Sequence, residues 1–227
     1  MQVEEADLAT AVIDLQGRFN LNNLADGNAD WFQAYKRLLR VLELDEALAE
    51  SLRDWIDEDI NQQTAEGAED YEYAVADPPY RTANQMLSSV EELRWVRGYS
   101  IEVITRLRDY VTALPESNLK ININTCDGIL FMAMSVNPLA VDEVTVGALV
   151  GGRGEEGYLS VQDVVSDTIY PQELQVGVEQ FGTVNSDYFE VNSRVQLDKI
   201  RLWIMSGLQR GEVGDPISSV YRLRGLL

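Results

Sequence analysis

Apolar and polar positions alternate imperfectly from Leu8 to Leu24, with Ile13, Leu15, Phe19 and Leu21 set against Val12, Asp14, Gln16, Arg18 and Asn20. A period of two predicts a strand, and Gly17 marks a bend or bulge within it. The pattern changes at Ala25. Over residues 29–59 the apolar positions are Trp31, Tyr35, Leu38, Leu39 and Leu42, then Leu48, Leu52, Trp55 and Ile56. Spacings of three and four predict two amphipathic helices, with Asp30 and Asp45 placed to cap or favour their starts.

Residues 57–84 lose this periodicity, are acidic, and carry Gly67 and the pair Pro78-Pro79, which predicts a long loop. A loop of that length inside a compact domain usually serves a function. Helical pattern returns with Ser88 or Ser89 as an N-cap, and again from Gly98 to Leu114, where Pro115 is expected to end the helix. Residues 121–166 read as three short helices, near 127–135, near 140–151 and after Ser160, an order similar to helix-hairpin-helix or SAM-like modules. From Asn185 the period is two once more. Tyr188, Glu190, Asn192, Arg194 and Gln196 alternate with Phe189, Val191, Val195 and Leu197, and further strands are expected at Ile200–Leu208 and Val220–Leu223.

A chain that begins and ends in strand and is helical between predicts an α+β fold. The expected organisation is one antiparallel sheet domain, residues 1–24 with 183–227, interrupted by a mainly helical insertion over 25–182.

Composition narrows the chemistry. With 227 residues, 45% hydrophobic and 25% charged, the chain can bury a substantial core. Its longest apolar stretch, Gly128 to Val136, is far short of the ~20 residues that cross a bilayer. Histidine is absent, which removes Ser-His-Asp and Cys-His catalysis and every histidine-ligated metal site. The one cysteine, Cys126, excludes an intramolecular disulfide and a multi-thiolate centre, and the apolar run behind it predicts burial. A formal charge of −20 repels phosphate backbones and leaves cations and basic protein surfaces as fitting partners. The hairpin surroundings in 121–166 add Asp142, Glu143, Glu155 and Glu156, so no nucleic acid is expected as a partner and a packing or protein-contact role is favoured there.

The acidic loop is the one candidate site. Asp57-Glu58-Asp59-Ile60-Asn61 gives the D-x-D-x-N opening of an EF-hand, but Gln62 stands where that loop needs glycine, and Glu69 falls one place late for the bidentate glutamate. It is therefore not an EF-hand. Oxygen ligands from Asp57, Asp59, Glu66, Glu69, Asp70 and Asn84 converge if the loop folds back, and calcium takes six to eight oxygens in forgiving geometry. Spacing alone favours a solvated acidic loop over a calcium site. Asp57, Asp59, Glu69 and Asp70 are also the candidates for a carboxylate-pair enzyme such as a glycosidase, an alternative to a non-catalytic protein.

Separated strings point to one family. Asp14–Asn23 (DLQGRFNLNN), Asp54–Asp59 (DWIDED), Gly67–Asp70 (GAED), Pro78–Gln85 (PPYRTANQ), Glu91–Gly98 (EELRWVRG), Ile121–Thr125 (ININT) and Ser186–Phe189 (SDYF) together resemble the K-type minor pseudopilins, or general secretion pathway protein K. The resemblance covers nearly the whole chain. It implies a pseudopilin fold, in which a helix packs on an antiparallel sheet, carrying a large helical insertion. It also implies a hydrophobic N-terminal helix that anchors the full-length protein in the bacterial inner membrane, so that this sequence is the periplasmic part. The implied role is non-enzymatic: assembly with the I-type and J-type minor pseudopilins at the tip of the type II secretion pseudopilus, in support of protein export, with secreted exoproteins as further contacts. Calcium as cofactor is likewise an implication of the resemblance.

Overall fold

The computed structural model describes residues 7–197, 200–211 and 215–226. Strand β1 (Asp7–Asp14) ends where the Asp14 carboxylate accepts hydrogen bonds from the Gln16 amide at 2.8 Å and the Ser186 hydroxyl at 2.7 Å. The strand expected through Leu24 therefore stops ten residues early. A 3-10 turn (Leu15–Gly17), a two-residue strand β2 (Phe19–Asn20) and a second 3-10 turn (Leu21–Leu24) take its place. The reason is tertiary. Leu21, Asn22, Asn23 and Leu24 are all buried, which one-sided alternation does not allow. The Asn22 side chain bonds both the amide (2.8 Å) and the carbonyl (2.9 Å) of Leu87, and Asn23 does the same for Leu119 at 3.0 and 2.9 Å. Asn20 donates to the Glu116 carbonyl and accepts from the Leu114 amide. These amides satisfy buried backbone groups that would otherwise cost free energy.

Helices α1 (Ala29–Val41) and α2 (Leu48–Ile56) follow the predicted spacing. Asn28, rather than Asp30, caps α1, accepting from the amides of Asp30 and Trp31, while Asp45 accepts from the Ala47 amide just ahead of α2. The acidic stretch after α2 holds one short helix, α3 (Asp70–Ala74). Ser89 caps a 3-10 turn (Val90–Trp95), and Ser100 caps α4 (Ile101–Leu107). The helix expected to run to Leu114 thus ends at Leu107. Strand β3 (Val111–Thr112) pairs in parallel with β2, and the asparagine clamp holds Leu114 beyond it. Strand β4 (Ile121–Asn122) leads into α5 (Gly128–Met134), α6 (Glu143–Gly152) and α7 (Gln162–Val165), the three short helices read from the pattern. Helix α8 (Gln172–Phe181) was unforeseen, although Leu174, Val178 and Phe181 line its buried face. Strand β5 (Gly182–Thr183) pairs with β4, and β6 (Tyr188–Leu197), β7 (Ile200–Gln209) and β8 (Ser218–Leu226) complete the chain.

Two compact units result, with the chain passing from one to the other after Gln16 and back after Val184. The helical unit, residues 17–184, holds the hydrophobic cluster from Phe19 to Phe181. At its centre the Phe19 ring meets Trp31 edge-on at 5.6 Å and Tyr35 at 5.4 Å, and Trp31 packs on Phe181 at 4.7 Å. Cys126 is buried there, with burial pushing its thiol up to about 12.

The sheet unit has strand order β1-β6-β7-β8, with every pair antiparallel. Its register sets Thr10 opposite Ser193, Ser193 opposite Ile204 and Ile204 opposite Arg224. Residues directly opposite share a face. Leu8, Val12, Val191, Val195, Leu202 and Ile204 therefore lie on one side, where Leu8 is 67% and Val12 65% exposed. Among the described residues no helix is long and apolar enough to cross a membrane.

Candidate metal centre

Helix α2 brings the first carboxylates together. Asp54 and Asp57 are three residues apart, hence on one helix face, at the C-terminal end where the backbone dipole disfavours negative charge. Asp57 is the C-cap. Two residues on, Asp59 accepts a hydrogen bond from the Asn61 amide at 2.6 Å, and the chain then folds back to place Glu69 at the N-cap of α3. Oxygens of Asp57, Asp59 and Glu69 all lie within 4.8 Å of one another. Asp54 is 0% and Glu69 5% exposed.

Like charges this close resist ionising. Burial, followed by the charges of Asp59 and Asp54, raises Asp57 to about 6. Burial, followed by Asp57, Asp54, Asp59 and Asp70, raises Glu69 to about 7. Burial raises Asp54 too, opposed chiefly by the neighbouring Arg53 guanidinium. The amides of Gln63 and Ala68 moderate that shift, yet neither makes a well-formed hydrogen bond to the Asp54 carboxylate.

Among the described residues, buried side-chain acceptors without a hydrogen-bond partner gather in this one stretch. They are both oxygens of Asp54, Oδ1 of Asp57, Oε1 of Glu69, Oδ1 of Asn84 and the Thr64 hydroxyl. Buried acceptors are rarely left this way, because each loses its water without replacement. Asn84 is held at the end of α2 by its amide, which donates to the Trp55 carbonyl at 3.1 Å, and it adopts φ 45°, a left-handed conformation that asparagine tolerates. Gly67 completes the cradle. A Cβ there would lie 2.0 Å from Oδ2 of Asp54, and the Gly67 carbonyl is fixed by Arg97 (2.9 Å) and Gln62 (3.0 Å). An all-oxygen donor set, crowded and running from exposed Asp59 through half-buried Asp57 to buried Glu69, fits a hard divalent cation of calcium type.

Of the six residues singled out by sequence, Asp57, Asp59 and Glu69 converge, and Asn84 contributes an unpartnered oxygen nearby. Glu66 and Asp70 stand outside the trio. Glu66 is exposed and is tied in through its carbonyl, which accepts from Ser51, while Asp70 accepts from the Thr82 amide and hydroxyl at 3.1 and 2.9 Å. Asp54 and Thr64 were not singled out, although the Asp54/Asp57 spacing on a predicted helix was a usable signal.

The type II secretion system protein K family model matches residues 17–116, a span that contains the whole centre. The type II secretion system protein K of Aeromonas hydrophila is 31% identical over 98% of this chain and 72% of its own length. The chain belongs to the type II secretion system protein K family. It is thereby a minor pseudopilin of that system. The Pseudomonas aeruginosa protein K is 34% identical over 92% of this chain, which spans 62% of that relative's length. A chain of the crystal structure of the GspK-GspI-GspJ complex from enterotoxigenic Escherichia coli superposes with a TM-score of 0.85 at 28% identity, covering 99% of this protein K and 82% of that chain.

Proposed function

We propose that this protein K is a non-catalytic assembly subunit that joins I-type and J-type minor pseudopilins at the pseudopilus tip and supports export across the outer membrane. In this reading the described part lies in the periplasm and the full-length protein is anchored in the inner membrane. The observation that carries the proposal is the likeness, over 99% of the chain, to a chain of a GspK-GspI-GspJ complex. Mixing the soluble I, J and K domains should give a one-to-one-to-one species by size exclusion with light scattering. An interface of specific class buries about 1,000 Å² or more. Three domains that stay separate at high micromolar concentration would overturn the reading.

Calcium is part of the same proposal, held by Asp57, Asp59, Glu69 and the side-chain oxygen of Asn84, with the orphaned acceptors as support. Carboxylate-pair hydrolysis is disfavoured. Glu69 is 5% exposed, and Asp70 is engaged by the Thr82 amide and hydroxyl, which leaves neither free to meet a sugar. A nucleic-acid role for 121–166 is disfavoured as well, because Arg153, the single base in that segment, donates to the carbonyls of Ile123 and Cys126.

A further inference from the structure

Helix α6 is apolar on every side. Glu143 and Thr145 are its only polar side chains, and the Thr145 hydroxyl is already bonded to the Asp142 carboxylate at 2.7 Å. A helix of that composition normally lies inside a protein. One face of α6 does: Leu149 is fully buried, and Val146 lies over Gly128 of α5, where a Cβ would come within 2.3 Å of it. The other face is bare. Val144, Gly147, Ala148 and Gly151, at steps of three and four, share it, and all are exposed, Val144 by 79%. Leu139, in the 3-10 turn (Pro138–Ala140) just ahead of the helix, is 92% exposed.

Two residues of the bare face are glycines that the fold does not require. Elsewhere in this unit neighbours hold helical glycines to their size: a Cβ on Gly152 would lie 2.4 Å from the Tyr158 hydroxyl, and one on Gly177 2.1 Å from the Met134 carbonyl. On Gly147 or Gly151 a Cβ would meet nothing within 4 Å, and neither residue has a positive φ. Glycine inside a helix lowers stability relative to alanine. Its physical advantage on an exposed face is a backbone that a second helix can approach closely.

The ends of this face carry one sign of charge. Asp142 and Glu143 stand at the N-terminus of α6 and Glu155 and Glu156 just past its C-terminus, all exposed. Arg153, the one base between them, is turned inward onto the carbonyls of Ile123 and Cys126. A second copy of this chain would bring the same carboxylates to the face and be repelled, as would a nucleic acid or an anionic membrane.

We infer that the exposed face of α6 docks a helix of a partner protein, one with a small or apolar stretch about as long as α6 and lysine or arginine at both ends. Gly147 and Gly151 admit its backbone, Val144 supplies apolar area, and the carboxylates at either end fix its register. The inference concerns the helical unit alone and is independent of the calcium reading.

Titration of synthetic helical peptides into the isotope-labelled protein, followed by amide NMR, tests this. One peptide has an alanine-leucine stretch with lysines at both ends, the next has glutamates in place of the lysines, and the last has glutamines in place of the apolar stretch. The first should shift the amides of Val144, Gly147, Ala148 and Gly151 and bind at least about tenfold more tightly than the other two. Gly147→Ala combined with Gly151→Ala should raise the melting temperature of the free protein and yet weaken the first peptide about tenfold. Glycines with a merely structural role would not give effects of opposite sign. Should that variant fail to fold, Val144→Lys, a change at an exposed position, should weaken the same peptide likewise. Binding that ignores these substitutions, that maps elsewhere, or that is equal for all the peptides overturns the inference, and so does no binding at millimolar peptide. Dimers of the free protein that the double alanine variant dissolves would assign the face to a second copy and overturn it too.

Discussion

The helical unit carries 12 basic residues against 29 acidic ones, a charge of −17, whereas the sheet unit carries 6 against 9, a charge of −3. Hydrophobic burial is divided just as unevenly. The aromatic and aliphatic cluster lies wholly between Phe19 and Phe181, while Leu8, Val12, Leu202 and Ile204 of the sheet are exposed. Each unit therefore has a different demand left over. In the helical unit a large apolar cluster is buried, although Tyr71, Leu139 and Val144 stay exposed, and what is left crowded is charge at the end of α2, a demand that a small cation would meet. In the sheet unit charge is nearly balanced and apolar area is left uncovered, a demand that a protein surface meets.

The largest test of this contrast is a matched pair of truncations. Leu38→Ala, in the helical core, should cost about 2–5 kcal/mol in denaturant unfolding. Val12→Ala, on the exposed sheet face, should stay within about 0.5 kcal/mol for the isolated protein. Equal losses would erase the distinction.

Next in size is the cation. Free calcium about a hundredfold above its dissociation constant should stabilise the protein by about 2.7 kcal/mol, seen as a rise in melting temperature that magnesium matches poorly. Glu69→Ala or Asp59→Ala should abolish the calcium-specific rise. A rise that survives both changes would place the ion elsewhere.

The smallest effect is in pH. Glu69 titrates at about 7 when folded and near its ordinary value, about 4, when unfolded. Between those values the folded state holds more protons, so its stability falls as pH rises through about 4 to 7 and the loss is complete above that window. Asp57, raised to about 6, acts in the same direction. Calcium-free Glu69→Gln should show a flatter stability profile than wild type over this range, and coincident profiles would contradict the burial assigned to Glu69.

Elements set by local pattern were legible before folding was considered. β6 and β7 follow from the alternation around Val191 and Val195, and α1 and α2 from spacings of three and four at Tyr35, Leu38, Leu52 and Trp55. Elements set by remote contacts were not. The break at Asp14 depends on Ser186, 172 residues away, and the early end of α4 goes with the clamp on Leu114. At the centre, sequence proximity made Asp57, Asp59 and Glu69 readable together. It could not show that Glu66 turns to solvent and Asp70 toward Thr82, because charge pattern carries no information on side-chain direction. Asp54 was hidden for a related reason: on an amphipathic helix a carboxylate reads as part of the wetted face.

The asparagine clamp also sets a timetable for the growing chain. Asn20 and Asn23 find their backbone partners 96 residues downstream, and Asn22 finds its own 65 and 92 residues on. At synthesis rates of about 5–20 residues per second, the first buried turn waits roughly 5–20 s for the segments that satisfy it. During that interval Phe19, Leu21 and Leu24 have no finished core to enter. The helical unit cannot close before Leu119 has emerged, and its core is complete only when Phe181 arrives to pack on Trp31, so a holding factor that acts on the nascent chain has work to do until that residue is out.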